Sequence, residues 1–158
     1  MPRAVIIVGS EADLEFANRI CETLKSFGVP FKIRVASAHK VPEKVLKILA
    51  ENEKRGEPLV YITVAGRSNA LSGMADANTR YPVIACPPYS EKFAGIDIFS
   101  SLRMPSGVAP LVVLEPEAAA LAAVKILALA DPALGKKISE YQKKMREKIE
   151  AADERLCR

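Results

Sequence analysis

Short apolar runs alternate along the chain with longer segments in which apolar residues recur at every third or fourth position. The runs span about residues 4–8, 31–35, 59–64, 83–86 and 111–114. Continuous runs of this length, rich in β-branched residues, are typical of strands buried on both faces of a sheet, whereas the wider spacing is typical of helices with one buried face. The pattern therefore predicts five strands that alternate with helices.

Proline and glycine delimit the helices between these strands. The apolar face of the first helix carries Leu14, Ala17, Ile20, Cys21, Leu24 and Phe27. This helix is predicted to end at Gly28, since glycine readily adopts the left-handed conformation found just past helix ends. The second helix begins at Pro42 and ends at Gly56, a third runs to about Thr79, and a short helical stretch covers 96–102.

The last two helices differ in how much of their surface is apolar. The helix over 117–129 is apolar nearly all round between Ala118 and Val124, so it needs cover on more than one side. We expect a second subunit to supply part of that cover, and hence a homo-oligomer. The final helix, over about 132–156, has an apolar stripe that predicts docking on its own sheet or on a neighbour. The stripe consists of Ile138, Tyr141, Met145, Ile149 and Leu156.

This alternation of strands and helices favours a parallel sheet with right-handed crossovers and helices on both faces. We predict the α/β class and a single domain over 1–158, a three-layer α/β/α sandwich with a parallel, flavodoxin-like sheet and a C-terminal helix. In such sheets the loops after the carboxyl ends of the strands line the ligand crevice. The loops at Gly9, Ser37 and Gly66 are therefore expected on one rim, with proline turns at 86–88 and 104–107 beside them.

Composition and charge exclude a nucleic-acid partner. The chain has 158 residues, of which 49% are hydrophobic and 27% charged, as is ordinary for a globular protein. The excess of 23 Lys and Arg over 19 Asp and Glu lies mostly after Gly135. There the basic residues alternate with acids, which is typical of a solvated helix face.

The cysteines and the N-terminal residues indicate the cellular compartment of the protein. The three cysteines are far apart and lack metal-ligand spacing, so we expect neither a zinc site nor a disulfide framework. Cys86 has no nearby sequence partner for nucleophilic chemistry and is expected to be structural. The N-terminal apolar run is too short for a signal peptide or a bilayer span. These features predict a cytoplasmic protein without a membrane partner.

Three polar loops on the predicted rim carry the candidate chemistry. The first, Gly9-Ser10-Glu11-Ala12-Asp13, joins a strand to a helix N-terminus, where free N–H groups and the helix dipole favour a phosphate. Ser10 and Asp13 also fit a capping-box pattern. The residues alone leave open whether this loop binds a ligand or caps the helix.

The second loop, Ser37-Ala38-His39-Lys40, contains the only histidine of the chain. Histidine is the side chain whose unperturbed pKa suits proton transfer near neutrality. Its place on the rim, beside a hydroxyl and a cation, favours catalysis over an ordinary surface role. Lys40 is a candidate counter-charge for phosphate, because a lysine at the start of a helix is otherwise slightly unfavourable.

The third loop, residues 65–73, offers Gly66 for close backbone approach and Arg67 for bidentate contact with an anion. A polar turn, with Ser68 or Asn69 as the N-cap of the next helix, is an equally open interpretation. The chain contains neither a GxGxxG fingerprint nor a P-loop, which counts against dinucleotide oxidoreductases and NTPases.

Taken together, these loops closely resemble the motifs of the PurE family of purine biosynthesis, and the match covers nearly the whole chain. The motifs are Gly9-Ser10-x-x-Asp13, Ser37-Ala38-His39-Lys40-x-Pro42, Ala65-Gly66-Arg67-Ser68-Asn69-Ala70-Leu71-Ser72-Gly73-Met74 and Ser100-Ser101-Leu102-x-Met104-Pro105-Ser106-Gly107. One class of that family interconverts two carboxylated forms of aminoimidazole ribonucleotide and has a histidine and a proline where this chain has Ala70 and Ser72. The chain looks like the second class, the phosphoribosylaminoimidazole carboxylases, which use carbon dioxide directly.

The resemblance implies a reversible, ATP-independent reaction in which an electron-rich imidazole carbon attacks carbon dioxide and then loses its proton to His39. It implies no metal and no cofactor. By analogy, Ser10 and Asp13 belong to the ribose 5-phosphate region, Ser37 and Lys40 to phosphate or ribose, and Gly66 and Ser68, with Arg67 between them, to substrate or carboxylate contacts.

The resemblance also implies an apolar pocket for carbon dioxide, which Ala70, Leu71 and Pro105 could help to line. The family forms octamers from packed tetramers, in agreement with the homo-oligomer expected above. Many relatives have a second serine where this chain has Ala12, so one hydroxyl for the phosphate is missing here.

Two alternatives remain open at the level of sequence. One is a mutase of the other PurE class, which moves a carboxylate from nitrogen to carbon on the same ring. The other is a non-catalytic, flavodoxin-like nucleotide-binding module that shares the sheet and the phosphate turn, because fold alone does not determine function. His39 on the rim is the feature that favours an enzyme.

Overall fold

The computed structural model describes residues 1–157. Within them the strands are β1 (Arg3–Val8), β2 (Phe31–Val35), β3 (Leu59–Val64), β4 (Val83–Ala85) and β5 (Leu111–Val112). The α-helices of the same residues are α1 (Leu14–Ser26), α2 (Pro42–Glu53), α3 (Ala70–Ala77), α4 (Phe99–Leu102), α5 (Pro116–Ala128) and α6 (Pro132–Leu156). Short 3₁₀ turns at Glu11–Asp13 and Lys92–Ile98 lead into α1 and α4. None of the helices in residues 1–157 combines the length and the apolar character needed to cross a membrane.

In residues 1–157 the five strands form one parallel sheet in the order β2-β1-β3-β4-β5. This is the order of flavodoxin-like sheets, whose direction of growth reverses between β1 and β3. The predicted α/β class and parallel sheet are confirmed. β4 and β5 are shorter than predicted, although the Cys86 N–H still donates to the Thr63 carbonyl at 2.8 Å.

Helices cover both faces of the sheet, as predicted. Ala4, Ile6 and Val8 of β1 point into a core shared with α1, α5 and α6. Val5 and Ile7 point to the opposite face, into a core shared with α2 and α3. Every residue of β1 and β3 is buried, which is why these strands are continuous apolar runs without alternation.

Helix α5 is covered on several sides by its own chain. Its buried side chains are Ala119, Ala120, Ala123, Val124 and Leu127, and they pack in the core that holds α1, α6 and the sheet. Alanine side chains are small enough for α1 and α6 to approach α5 closely on its buried face. The remaining face of α5 is exposed or only partly buried in this chain, so the expectation that a second subunit supplies part of its cover stays a prediction.

Only the first part of the predicted α6 stripe docks on the body of the protein. Leu134 and Ile138 are buried, the Lys137 ammonium donates to the Phe27 carbonyl at 2.7 Å, and the Tyr141 ring meets that of Phe27 edge-on at 5.4 Å. The later members of the stripe are exposed: Met145, Ile149 and Leu156. The outer part of α6 therefore presents apolar side chains to its surroundings.

A buried guanidinium fixes the start of β1. Arg3 is only 6% exposed, and its side chain donates to the Asn52 side-chain oxygen at 2.6 Å, to the Asn52 carbonyl at 2.7 Å and to Glu57 at 3.2 Å. Asn52 in turn donates to the Ile48 carbonyl at 2.7 Å. These contacts join β1 to the end of α2. They also give the buried guanidinium its acceptors, without which burial of the charge would be costly in free energy.

Asn52→Ala is expected to lower the free energy of unfolding by roughly 1–3 kcal/mol, because it leaves a buried guanidinium N–H without its acceptor. Urea denaturation of the two proteins measures the difference. Asn18→Ala, on the exposed side of α1, is the control and is expected to change stability by less than about 0.5 kcal/mol. Equal effects of the two substitutions would contradict this role for Asn52.

Candidate active site

The carboxyl ends of three neighbouring strands bring the predicted loops together. The Gly9 N–H donates to the Val64 carbonyl at 2.9 Å, and the Ala36 N–H donates to the Val8 carbonyl at 2.9 Å. The parallel ladders thus continue one residue beyond β1 and β2. A methyl group added at Gly9 would lie 3.4 Å from the Ala65 Cβ, so the first and third loops are in close contact. The rim predicted from the strand order is therefore where the loops lie.

A cavity of about 460 Å³ opens on this rim. It is lined by every residue that the sequence proposed for proton transfer or for contact with the substrate: Ser10, Asp13, Ser37, His39, Lys40, Gly66, Arg67 and Ser68. Further lining residues are Gly9, Ala12, Ala38, Ala65, Leu71, Pro88, Tyr89, Ser90, Lys92 and Asp97. A cavity of this size accommodates a mononucleotide.

The first loop enters α1 through a 3₁₀ turn. The Ser10 hydroxyl accepts from the Ala12 N–H at 3.3 Å, and the Asp13 N–H donates to the Ser10 carbonyl at 3.1 Å. Ser10 therefore acts as an N-cap, as one of the two interpretations proposed. Among the described residues, the Asp13 carboxylate makes no capping bond to α1 and instead faces the cavity. The turn places Ser10 and the N-terminal end of this helical segment beside the cavity.

Burial raises the pKa of the Asp13 carboxyl above its ordinary value, and the nearby positive charge of Arg67 offsets part of that effect. The two residues come from different strand loops, so the electrostatic contact exists only because the loops converge. The environment of Asp13 therefore disfavours its ionised form relative to a carboxyl group in water.

The second loop holds His39 in a tight turn. The Val41 N–H donates to the Ser37 carbonyl at 2.9 Å, and the Lys40 N–H donates to the Ser37 hydroxyl at 3.3 Å. His39 and Lys40 are exposed on the cavity wall, and no hydrogen bond within residues 1–157 restrains the imidazole. The backbone of this turn is thus fixed while its basic side chains remain accessible to a ligand.

A buried polar network anchors the third loop, residues 65–69, which we call the arginine loop. Thr63 and Ser72 share a hydrogen bond between their hydroxyls at 2.8 Å, and Ser72 donates to the Asn69 side-chain oxygen at 2.9 Å. Asn69 also caps α3 by accepting from the Ser72 N–H at 3.2 Å, and its amide donates to the Ser101 hydroxyl at 2.8 Å. Asn69, rather than Ser68, is therefore the N-cap, and Ser68 remains on the cavity wall.

The outer segment, residues 88–101, forms the fourth wall of the cavity. Pro88, Tyr89, Ser90, Lys92 and Asp97 come from it. The proline turn predicted at 86–88 is on the rim as expected. The other four residues were missed, because neither apolar periodicity nor a motif marks a segment whose wall side is polar and whose outer side is exposed.

The predicted carbon dioxide pocket is only partly formed by the residues proposed for it. Leu71 lines the cavity, whereas Ala70 and Pro105 do not. The second proline turn packs beside α3 instead: a methyl group added at Gly73 would lie 3.0 Å from the Met104 sulfur. Ala70 begins α3 and turns away with it. The apolar side of the cavity therefore comes from Leu71, Pro88 and the alanines of the loops.

Cys86 is structural, as expected. Its side chain is fully buried, its Sγ contacts the Leu114 carbonyl at 3.6 Å, and burial raises the pKa of its thiol to about 12. A thiol held so far from its reactive thiolate form does not act as a nucleophile near neutrality. Within residues 1–157 no group of histidine, cysteine and acidic side chains has the arrangement of a metal site.

Known proteins match the chain over nearly its whole length. The family model described as AIR carboxylase matches residues 3–148. A phosphoribosylaminoimidazole carboxylase of Archaeoglobus fulgidus is 58% identical over 154 residues, which are 98% of this chain and 84% of the relative. Another, of Treponema denticola, is 46% identical over 157 residues and 99% of each chain. The crystal structure of Treponema denticola PurE covers 100% of both chains with a TM-score of 0.97 and 46% identity.

Asp13→Asn is expected to stabilise the protein at pH 7, because it removes a carboxylate whose ionisation is disfavoured in the folded state. The advantage over the unsubstituted protein should shrink as the pH falls through the raised pKa. It should vanish below the ordinary value of 3.8, where folded and unfolded states both hold the proton. Urea midpoints at pH 7 and pH 3.5 measure it, with the exposed Asp153→Asn as control. A gain that is the same at both pH values would refute the electrostatic cause.

Proposed function

The chain belongs to the AIR carboxylase family and is an enzyme of purine biosynthesis, and we propose that it joins carbon dioxide directly to 5-aminoimidazole ribonucleotide. The observation that carries this proposal is the convergence of His39, Lys40 and the arginine loop in one cavity at the β1/β3 switch point. The product is 4-carboxy-5-aminoimidazole ribonucleotide, and the reaction is reversible and needs no ATP. A proton-transfer group and binding sites for two anionic groups are what this chemistry requires.

The 5′-phosphate of the substrate lies at the first two loops in this proposal. The Ser10 hydroxyl provides a hydrogen-bond donor, and the dipole of the helical segment that follows favours negative charge there. Ala12 lines the cavity without a hydroxyl, and its N–H donates to the Ser10 hydroxyl at 3.3 Å. Lys40 adds a positive charge from the second loop, while Ser37 and Asp13 contact the phosphate or ribose.

His39 is the proton-transfer residue of the proposed reaction. The electron-rich C4 of the imidazole ring attacks the carbon of carbon dioxide and forms a C–C bond. One C=O π bond of carbon dioxide breaks, and its electron pair moves to oxygen, which gives a carboxylate. The same ring carbon is now tetrahedral, and loss of its proton to an imidazole nitrogen of His39 restores the aromatic ring. In the reverse direction the protonated imidazole returns that proton and carbon dioxide leaves.

The arginine loop receives the new carboxylate. Gly66 exposes its backbone to the cavity, Arg67 provides a guanidinium suited to bidentate contact, and Ser68 adds a hydroxyl. Leu71 and Pro88 supply apolar surface for carbon dioxide before it reacts. An apolar wall next to an anion site keeps water from the reacting carbon while it stabilises the charge that forms.

Direct carboxylation is favoured over the mutase reaction by the positions that differ between the two classes. Ala70 does not reach the cavity, and Ser72 is fully buried in hydrogen bonds to Thr63 and Asn69. Neither offers a group that could handle a carboxylate during its transfer from nitrogen to carbon. The mutase is nevertheless an explicit outcome of the experiment below.

We also propose that the protein acts in the cytoplasm as a homo-octamer built from a single-domain chain, without metal or cofactor. Exposed apolar side chains on the outer segment and on α6 support self-association, because patches of this kind mark protein contacts. They are Tyr89, Phe93, Ile96, Phe99, Met145 and Ile149. The three unpaired cysteines agree with a reducing compartment.

The reaction is tested by the ultraviolet signal of aminoimidazole ribonucleotide with enzyme and bicarbonate, in the absence of ATP. Carboxylation under these conditions supports the proposal. Turnover of the N-carboxylated isomer, with no reaction of aminoimidazole ribonucleotide and bicarbonate, would assign the chain to the mutase class. Inertness towards both substrates, together with binding of either, would favour the non-catalytic module.

His39→Asn is expected to reduce the turnover number by about 10²–10⁴-fold, since asparagine is similar in size but does not accept the proton. The apparent substrate constant and the melting temperature should change little, because His39 is exposed and outside the cores. Steady-state kinetics and thermal unfolding of the purified variant measure both. Full turnover would exclude His39 as the base.

Lys40→Ala is expected to raise KM about tenfold or more while lowering the turnover number less. A phosphate contact remote from the reacting carbon provides equal binding in the ground and transition states, and a charge-assisted hydrogen bond is worth roughly 1.5–3 kcal/mol. Lys44→Ala is the matched control, because Lys44 is an exposed lysine in the first turn of α2 and does not line the cavity. A loss of turnover at unchanged KM would place Lys40 at the reacting carbon instead.

A further inference from the structure

Arg67 has a backbone conformation that its side chain does not favour. Its φ is +59°, in the left-handed region where residues with a Cβ rarely lie. Such conformations persist only where surrounding contacts determine them, and they cluster at functional sites. The contacts that hold Arg67 in this conformation therefore decide where its guanidinium points.

Two side chains of the outer segment hold the Arg67 backbone from both sides. The Arg67 N–H donates to the Asp97 carboxylate at 3.1 Å, and the Ser100 hydroxyl lies 2.7 Å from the Arg67 carbonyl. The same hydroxyl accepts from the Asn69 N–H at 3.0 Å and lies 2.7 Å from the Asp97 carbonyl. Asp97 and Ser100 thus link the outer segment to both ends of the Arg67–Asn69 stretch.

Asp97, like Asp13, places a carboxylate on the cavity wall. It lines a cavity that receives an anionic substrate under the proposed function, and a carboxylate in that wall repels such a ligand. Its bond to the Arg67 N–H gives the carboxylate a structural purpose. The Ser100 hydroxyl does not repel an anion in this way, because it is uncharged and can both donate and accept a hydrogen bond.

We propose that Asp97 and Ser100 are positioning residues, which hold Arg67 in its left-handed conformation and so direct its guanidinium to the anionic group of the substrate. This inference rests on the proposed function of Arg67 and adds residues for which the motifs gave no role. It assigns to the outer segment the task of shaping the arginine loop, in addition to closing the cavity.

The first test compares Asp97→Ala, Asp97→Asn and Ser100→Ala by steady-state kinetics and thermal unfolding. Asp97→Ala is expected to raise KM for aminoimidazole ribonucleotide roughly tenfold to a hundredfold, as displacement of a binding group does. Asp97→Asn, which keeps an acceptor for the Arg67 N–H, should restore most of the loss. Asp76→Ala is the matched control, because the Asp76 carboxylate likewise accepts one backbone N–H, that of Ala109 at 2.7 Å, outside the cavity.

The second test removes the residue being positioned. Glycine adopts a positive φ without steric cost, so Arg67→Gly loses the guanidinium and no longer needs the restraint. Asp97→Ala should then have no further effect on KM in the Arg67→Gly background, although it has a large effect alone. An undiminished effect in that background would overturn the proposal and make Asp97 a direct substrate contact. So would an Asp97→Ala variant no worse than Asp76→Ala.

A crystal structure of Asp97→Ala separates this inference from the proposed function. Departure of Arg67 from positive φ supports the positioning role even if the purified protein carboxylates nothing, in which case the proposed reaction alone fails. Retention of φ near +59° would overturn the positioning role even in a protein whose carboxylase activity is established.

Discussion

The parallel ladder between β1 and β3 is the constraint on which the rest of the structure depends. Every residue of both strands is buried, and their register runs without interruption from Arg3 opposite Leu59 to Val8 opposite Val64. Because the carboxyl ends of the two strands are level, Gly9 and Ala65 leave the sheet side by side. β2 pairs with the other edge of β1 and brings the turn of His39 to the same height. The strand register therefore brings the loops together, and the polar residues of each loop then determine what the cavity can bind.

Buried hydrogen bonds fix the arginine loop beyond the end of β3. The hydroxyls of Thr63 and Ser72 and the amide of Asn69 have their hydrogen bonds satisfied away from water, which makes such networks rigid. Through Ser101 the network reaches the outer segment, and so one chain of hydrogen bonds runs from Thr63, near the carboxyl end of β3, to that segment. The arginine loop is therefore held at both its base and its outer side.

The sequence predicts the sheet and the three strand loops well because their signals are local. Apolar runs mark buried strands, Pro42 and Gly28 mark helix ends, and parallel topology places the loops on one rim. Contacts between distant residues carry no such signal. The cover of α5 by α1 and α6, the turn of Ala70 and Pro105 away from the cavity and the bond between Asp97 and Arg67 depend on three-dimensional packing. The positive φ of Arg67 could not be predicted from the sequence either, because arginine, unlike glycine, is not typical of that conformation.

The two kinds of wall around the cavity differ in how readily they can change during evolution. Three sides are loops fixed by strand ladders, where a substitution that shifts one loop disturbs the register of the whole sheet. The fourth side is attached to the arginine loop through side chains such as Asp97, Ser100 and Ser101. Exchange of one such residue can move that wall while the sheet stays intact. A change in the shape of the cavity is therefore tolerated most readily in residues 88–101, which lie apart from His39, the proposed proton-transfer residue.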